Sequence, residues 1–153
     1  MNRFHQLIST SLGIGYVGKG AGTLAAIVTA ICWYTLQVGE IPNITMQWVV
    51  TAFITVLGVW SGNKVEAFWG KDNQKVVIDE VAGMCISLLM VPLSIPYVVA
   101  GLILFRIFDI TKPLYIRRAE RLPGGWGVML DDVLAGICAN VLLQVAYRGA
   151  KFF

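Results

Sequence analysis

The apolar positions of this chain fall into long runs separated by short polar clusters. The runs cover Thr23–Val38, Trp48–Gly62, Val76–Val91 and Tyr97–Ile110, and a last one extends from about Asp131 to Tyr147. Asp79 and Glu80 interrupt the third run, and Arg106 and Asp109 interrupt the fourth. Thr23–Val38 is marginal as a membrane span, for which about 20 residues are usual, and the small residues Gly20 to Gly22 lengthen it. Pro42 and Asn43 mark a loop over Glu40–Gln47. Pro92 and Pro96 bracket a turn that makes the third and fourth runs a helical hairpin, and Pro113 ends or kinks the second arm. The pattern predicts an all-α fold: a small integral membrane helical bundle with about four transmembrane or membrane-embedded helices. Residues 1–153 are expected to form a single domain, and Met1 to Leu12 do not read as a removable signal peptide.

Composition supports the bilayer as the solvent. Hydrophobic residues make up 57% of the 153 positions and charged residues 14%, against about 25% charged in ordinary soluble domains. Mean hydropathy is +0.71. The net charge of +3 is mild, and the basic residues form no stripe of the kind that binds nucleic acid. Their distribution is informative in another way. Arg3 and Lys19 precede the first run, Lys64, Lys71 and Lys75 follow the second, and Lys112, Arg117, Arg118 and Arg121 follow the fourth, while the 39–47 and 92–96 segments carry none. This alternation fits a cytoplasmic N-terminus, with Arg148 and Lys151 as exceptions on the far side. The polar clusters 13–23, 63–80, 106–121 and 131–132 then share one membrane face. Cys32, Cys85 and Cys138 lie within apolar runs, form no CxxC pair and read as buried thiols.

Asp79, Glu80, Asp109, Asp131 and Asp132 are five of the nine acids, and all sit at or within the ends of apolar helices. Acids in such places are costly and point to function. Converging carboxylates repel unless a cation lies between them, and Mg²⁺ prefers hard oxygen ligands. Simpler roles compete. Asp131 or Asp132 could cap the last helix, Asp79 and Glu80 could pair with Lys75 or Lys71, and Asp109 could pair with Arg106 three residues back. Glu80, Gly83 and Ser87 share a helical face, as do Asp132, Gly136 and Asn140. Small residues behind the acids permit close helix packing, which would bring acids of different helices together.

Phosphate-handling candidates flank the acids. Arg106 lies inside an apolar run and needs a partner. Lys112, Arg117, Arg118 and Arg121 follow it, and the last three could equally attract anionic headgroups. The segment Gly18-Lys19-Gly20-Ala21-Gly22-Thr23 precedes a helix, where backbone N–H groups cradle anions. It nearly matches a Walker A loop, but Gly20 stands where Ser or Thr belongs, and no strand precedes it. His5 is the single histidine, which argues against histidine phosphatases and Ser-His-Asp hydrolases. Neither a Cys-x5-Arg loop nor an Asp-x-Asp pair occurs. Metal-assisted chemistry by carboxylates remains.

Several segments, in order, resemble the phosphatidylglycerophosphatase A family. They are Gly22-Thr23-Leu24, Val77-Ile78-Asp79-Glu80-Val81-Ala82-Gly83-Met84, Phe105-Arg106-Ile107-Phe108-Asp109-Ile110-Thr111-Lys112-Pro113, and Gly124 through Gly136 with Trp126, Asp131 and Asp132. The chain departs from the family pattern around Thr23, where Ala21 precedes Gly22 and Ala25-Ala26 follow Leu24. The resemblance implies a Mg²⁺-dependent lipid phosphatase of the bacterial cytoplasmic (inner) membrane. It would convert phosphatidylglycerophosphate to phosphatidylglycerol, with its site facing the cytoplasm. On this reading Asp79, Glu80, Asp109, Asp131 and Asp132 are catalytic, with Asp79, Glu80, Asp131 and Asp132 holding the metal. Lys19, Thr23, Arg106, Lys112 and Arg117 would bind the phosphate. A CDP-alcohol phosphotransferase would also use intramembrane acids, but its Asp-Gly-x2-Ala-Arg signature is missing. A small transporter or scaffold could use Arg106 and Asp109 along a path, against which stands the one-sided placement of the polar groups.

Overall fold

The computed structural model describes residues 3–39, 43–71, 73–119 and 121–150. Seven α-helices and one 3-10 turn make up the described residues, with no strand among them. They are α1 (Arg3–Ser9), the 3-10 turn Ile14–Val17, α2 (Ala21–Thr35), α3 (Ile44–Trp69), α4 (Ile78–Ser87), α5 (Ile95–Thr111), α6 (Leu114–Ala119) and α7 (Gly125–Ala150).

The short helix α4 is the hub. It packs against α7, α2, α3 and α5, and around it α3 touches α7, α7 touches α5, and α5 touches α2. The ring is incomplete between α2 and α3. These two meet at their far ends, where Gln47 Nε2 donates to Gln37 Oε1 at 2.7 Å. The core around α4 holds Met84, Cys85 and Leu88 with Ala26 and Ala30 of α2, Phe105 of α5, Ile116 of α6, and Ala135 and Ala139 of α7.

Glycine sets the approach of α4 to α7. A Cβ on Gly83 would sit 2.7 Å from the Asp132 carbonyl oxygen and would strike the Phe105 ring, and one on Gly136 would strike the Gly83 carbonyl. The expected small-residue seam is therefore present. Further along the same seam α4 stops inside the bundle, and side chains of α7 take its terminal carbonyls. Asn140 Nδ2 donates to Ser87 O (3.1 Å) and Leu89 O (2.8 Å), and Gln144 Nε2 donates to Leu89 O (3.2 Å) and Met90 O (2.9 Å). Away from water these carbonyls would otherwise lack partners.

Two helices, α3 and α7, are long and apolar enough to cross a membrane, at 26 residues each; about 39 Å of helix exceeds a hydrocarbon core of about 30 Å. Among the described residues, four full spans are not shown. α2 has 15 residues, α5 has 17 and α4 has 10. The hairpin of α4 and α5 stands where expected, with Pro96 in the first turn of α5 and Pro113 just past its end.

Other boundaries move. The glycine-rich segment before α2 contains α1 and the 3-10 turn, fixed by His5, which is buried against Trp60 and lies 3.2 Å from Ser61 Oγ through Nδ1. Asn43 caps α3 by accepting from Met46 N–H, while Glu40–Pro42 of the expected loop lie outside the described residues. Asn63–Trp69, expected as loop, continue α3. The last helix begins at Gly125 rather than near Asp131 because Asn63 Oδ1 accepts the Gly125 N–H at 2.7 Å and caps it from a neighbouring helix. Asp131 and Asp132 thus sit inside α7 and cap nothing. A further short helix, α6, occupies the basic segment, and Cys32 is exposed rather than buried.

Replacing Gly136 by Val is expected to destabilise the bundle by about 3 kcal/mol, the upper range for overpacking, because the atom it meets is backbone. Asn140→Ala should lose about 1–3 kcal/mol through two carbonyl bonds. Both are read from the denaturant midpoint of helical circular dichroism in detergent; unchanged midpoints would contradict the tight seam and the capping role.

Candidate active site

The acids converge at the start of α4. Ile78 opens that helix, so Asp79 and Glu80 fall in its first turn, where carboxylates face the positive end of the helix dipole. Asp132 comes from the second turn of α7, brought across by the Gly83–Gly136 contact. One carboxylate oxygen each of Asp79, Glu80 and Asp132 lies within 4.8 Å of the others. Asp79 and Asp132 are buried, and Glu80 nearly so.

Their surroundings complete a cavity of about 520 Å³ lined by Gly18–Gly22, Asn73, Gln74, Val76, Asp79, Glu80, Arg106, Asp109, Lys112, Asp131 and Asp132. Two cations enter from the end of α5. Arg106 pairs with Asp109, as its spacing suggested. Lys112 Nζ lies 2.7 Å from Asp131 Oδ2, and its positive φ of 40° as the C-cap of α5 turns the chain at this point.

Asp131 is therefore separated from the expected metal set. It is not in the compact carboxylate group but serves as the partner of Lys112. Among the described residues its Oδ1 is buried without a hydrogen-bond partner, as are Asp79 Oδ1, Glu80 Oε2 and Arg106 Nε. Buried polar atoms left this way are costly, and here they gather in one place.

Electrostatics sharpen the point. Two carboxylate charges 4.8 Å apart repel by about 3–4 kcal/mol at an effective dielectric near 20. Three such pairs approach the whole stability of an ordinary domain, about 5–15 kcal/mol. Arg106 and Lys112 already face carboxylates of their own. The group calls for protons or a cation, and its all-oxygen donor set suits a hard divalent ion.

The glycine-rich segment forms one wall. Gly20 (φ 89°) precedes α2 and offers no side-chain cap; Ala21 N–H donates to Gly18 O and Leu24 N–H to Gly20 O, which leaves Gly22 and Thr23 as the first-turn N–H groups with no acceptor within the helix. Gly22 packs directly on the Glu80 carboxylate, into which any Cβ would intrude. Lys19 lines the cavity. Thr23, the next residue along α2, is exposed and not among the lining residues, and Arg117 is exposed on α6 and likewise outside. Lys75 does not pair with Asp79 or Glu80; its Nζ lies over the Tyr16 and Trp69 rings at 5.8 and 5.5 Å. Asn73 and Gln74 are lining residues that sequence reasoning did not single out. Their only signal was membership of the polar segment between the second and third runs.

The chain matches the family model for phosphatidylglycerophosphatase A over residues 7–147. It is 34% identical over 146 residues to phosphatidylglycerophosphatase A of Haemophilus influenzae, covering 94% of this chain and 88% of that one. The Escherichia coli protein of the same name is 29% identical over 155 residues, covering 96% and 86%. A Bacteroides thetaiotaomicron protein, provisionally named phosphatidylinositol-3-phosphatase, is 42% identical over 146 residues, covering 92% and 91%. No solved structure matches the chain. With its cavity built from the same acid-bearing and basic segments that first suggested the likeness, the chain belongs to the phosphatidylglycerophosphatase A family, and it is a phosphatase.

Proposed function

We propose that the chain hydrolyses phosphatidylglycerophosphate to phosphatidylglycerol and inorganic phosphate, with Mg²⁺ as cofactor, at the cytoplasmic face of the bacterial inner membrane. The observation that carries this is the meeting of Asp79, Glu80 and Asp132 with Arg106, Lys112 and the start of α2 around one cavity. The membrane placement draws on α3 and α7, beside which α2, α4 and α5 lie embedded without each spanning. The basic residues at the cavity end support its cytoplasmic orientation.

Asp79, Glu80 and Asp132 would hold the ion, and the unpartnered Asp79 and Glu80 oxygens fit this role. When bound, the metal supplies Lewis-acid polarisation of the phosphoryl group and orders water. The protein's own groups do the rest. Arg106, Lys112, Lys19 and the Gly22 and Thr23 N–H groups at the start of α2 surround the phosphomonoester and balance its charge as the ester bond breaks. Asp109 orients Arg106. Asp131 is oriented by Lys112 through one oxygen, and its Oδ1 accepts the proton of the attacking water, which then passes to the leaving glycerol oxygen as the P–O ester bond breaks. Gly22 leaves room for the Glu80 carboxylate. The side chains of Thr23 and Arg117, outside the cavity, take no part in binding the phosphate.

The name of the Bacteroides relative supports a second reading, a phosphoinositide monophosphate as substrate. Phosphate release from phosphatidylglycerophosphate, phosphatidylinositol 3-phosphate and phosphatidic acid, measured side by side, decides between them. The first is expected to be fastest, and preference for either other lipid would overturn the substrate assignment.

Glu80→Gln and Asp132→Asn should each lower turnover by at least about a hundredfold while the protein still inserts. Gly22→Ala should cost at least about tenfold by displacing Glu80, whereas Thr23→Ala and Arg117→Ala should stay within about threefold of the parent. Steady-state phosphate release checks all of these; a normal rate for Glu80→Gln would remove it from the core of the site. EDTA is expected to stop the reaction and Mg²⁺ to restore it, and full activity in EDTA would defeat the metal proposal.

A further inference from the structure

Beside the acidic cavity lies a smaller cleft of about 390 Å³, between Gly15, Tyr16 and Gly18 on one side and Lys71, Gln74 and Lys75 on the other. The two spaces share Gly18, Asn73 and Gln74 and so adjoin along these residues. Their charges are opposite. Five carboxylates and three cations line the cavity, whereas the cleft is lined by two lysines and, among the described residues, by no acid. We propose that the cleft is a second phosphate subsite, which takes a phosphate group other than the one being cleaved. Two sources share that chemistry: the inorganic phosphate that the reaction releases, and the phosphodiester of the lipid itself. The exposed position of Lys71, Gln74 and Lys75, past the last turn of α3, favours the released ion. The proposal rests on the reaction given above and deepens it.

The walls of the cleft are fixed. A Cβ on Gly15 would strike the Lys75 carbonyl, so the 3-10 turn packs directly on the backbone of the opposite wall. Next to this contact Val77 N–H donates to Ser9 O at 2.8 Å. Asn73 closes the turn that follows α3. Its Nδ2 donates to Trp69 O at 3.0 Å, and its Oδ1 accepts the Lys75 N–H at 3.1 Å. At the join with the cavity, Gly18 has φ of 95° and nothing within 4 Å of where its Cβ would stand, which leaves its backbone open to an anion there.

Lys75 is held without being neutralised. Its Nζ lies 5.5 Å from the centre of the Trp69 ring and 5.8 Å from that of Tyr16, and the two rings stand at 81° to one another. Aromatic faces attract an ammonium but leave its charge in place. Among the described residues neither Lys71 nor Lys75 forms an ion pair, in contrast to Arg106 and Lys112. Lys75 therefore keeps N–H donors for an anion. Hydrolysis frees a phosphate ion beside carboxylates, and two unpaired cations next to them give it a favourable place to go.

The test uses the purified protein in detergent with two probes. One is inorganic phosphate, and the other is dihexanoyl phosphatidylglycerol, which has the phosphodiester but no monoester. Acetylation of Lys75 by N-hydroxysuccinimidyl acetate, read by peptide mass, is expected to slow at least about threefold as inorganic phosphate saturates. Lys64, exposed on α3 and outside the cleft, is the reference. Slowing by the lipid alone assigns the cleft to the phosphodiester. Slowing by neither probe, or equal slowing at Lys64, overturns the proposal. No turnover is needed, so loss of the enzymatic reading leaves this result interpretable.

In turnover, Lys75→Gln should raise the inhibition constant of inorganic phosphate at least about fivefold, with KM for the lipid within about twofold of the parent. Lys75→Arg should restore the parent value, since a guanidinium stacks on the same rings and binds phosphate. If the phosphodiester is the occupant, Lys75→Gln instead raises KM for phosphatidylglycerophosphate and not for phosphatidic acid, which has no phosphodiester. Unchanged inhibition together with unchanged KM overturns the proposal, as does an equal effect of Lys64→Gln. If Lys75→Gln does not accumulate, the labelling of the parent protein alone decides.

Discussion

The backbone contact between α4 and α7 governs the rest of the structure. Gly83 and Gly136 let two helices approach until carbonyl oxygens occupy the space where Cβ atoms would lie. Only at that separation does a carboxylate from α7 come within 4.8 Å of two from α4. The same seam then works twice more, once to let Asn140 and Gln144 reach the end of α4 and once to bury Ala135 and Ala139 against Phe105. In an apolar medium such packing is driven by close van der Waals contact rather than by exclusion of water, so small residues have a disproportionate effect.

Around that seam, charge is arranged by layers. The carboxylate group lies innermost. Arg106 and Lys112, each matched to a second carboxylate, stand at the edge, and the backbone of α2 faces them across the cavity. Paired cations at the edge remain able to meet an incoming anion, because ion pairing with Asp109 and Asp131 fixes their position without using every donor. Arg106 Nε, for one, has no hydrogen-bond partner among the described residues.

Much of this was legible in the sequence. The acids stood out because each interrupted an apolar run, and the Arg106–Asp109 pair followed from three-residue spacing on a helix. The glycine seam followed from shared periodicity with the acids. What escaped has a common physical cause. Helix ends here are set by side chains distant in sequence, as Asn63 sets the start of α7, and no local pattern reports such a cap. Asp131 and Asp132 are adjacent, so sequence gave them one role. Successive helical residues point about 100° apart, and the structure gives one to the carboxylate group and the other to Lys112. Thr23 was judged by its place in a glycine-rich segment and Arg117 by its charge near the acids, and neither says which face of a helix looks into the cavity.

The early ending of α4 has a consequence for how the molecule is made. Its last carbonyls are satisfied by Asn140 and Gln144, which follow them by 51 to 55 residues in the chain. Until α7 packs alongside, α4 lacks partners for these carbonyls and lacks the carboxylate of Asp132. The end of α4 and the carboxylate group are therefore completed by one packing event, the docking of α7.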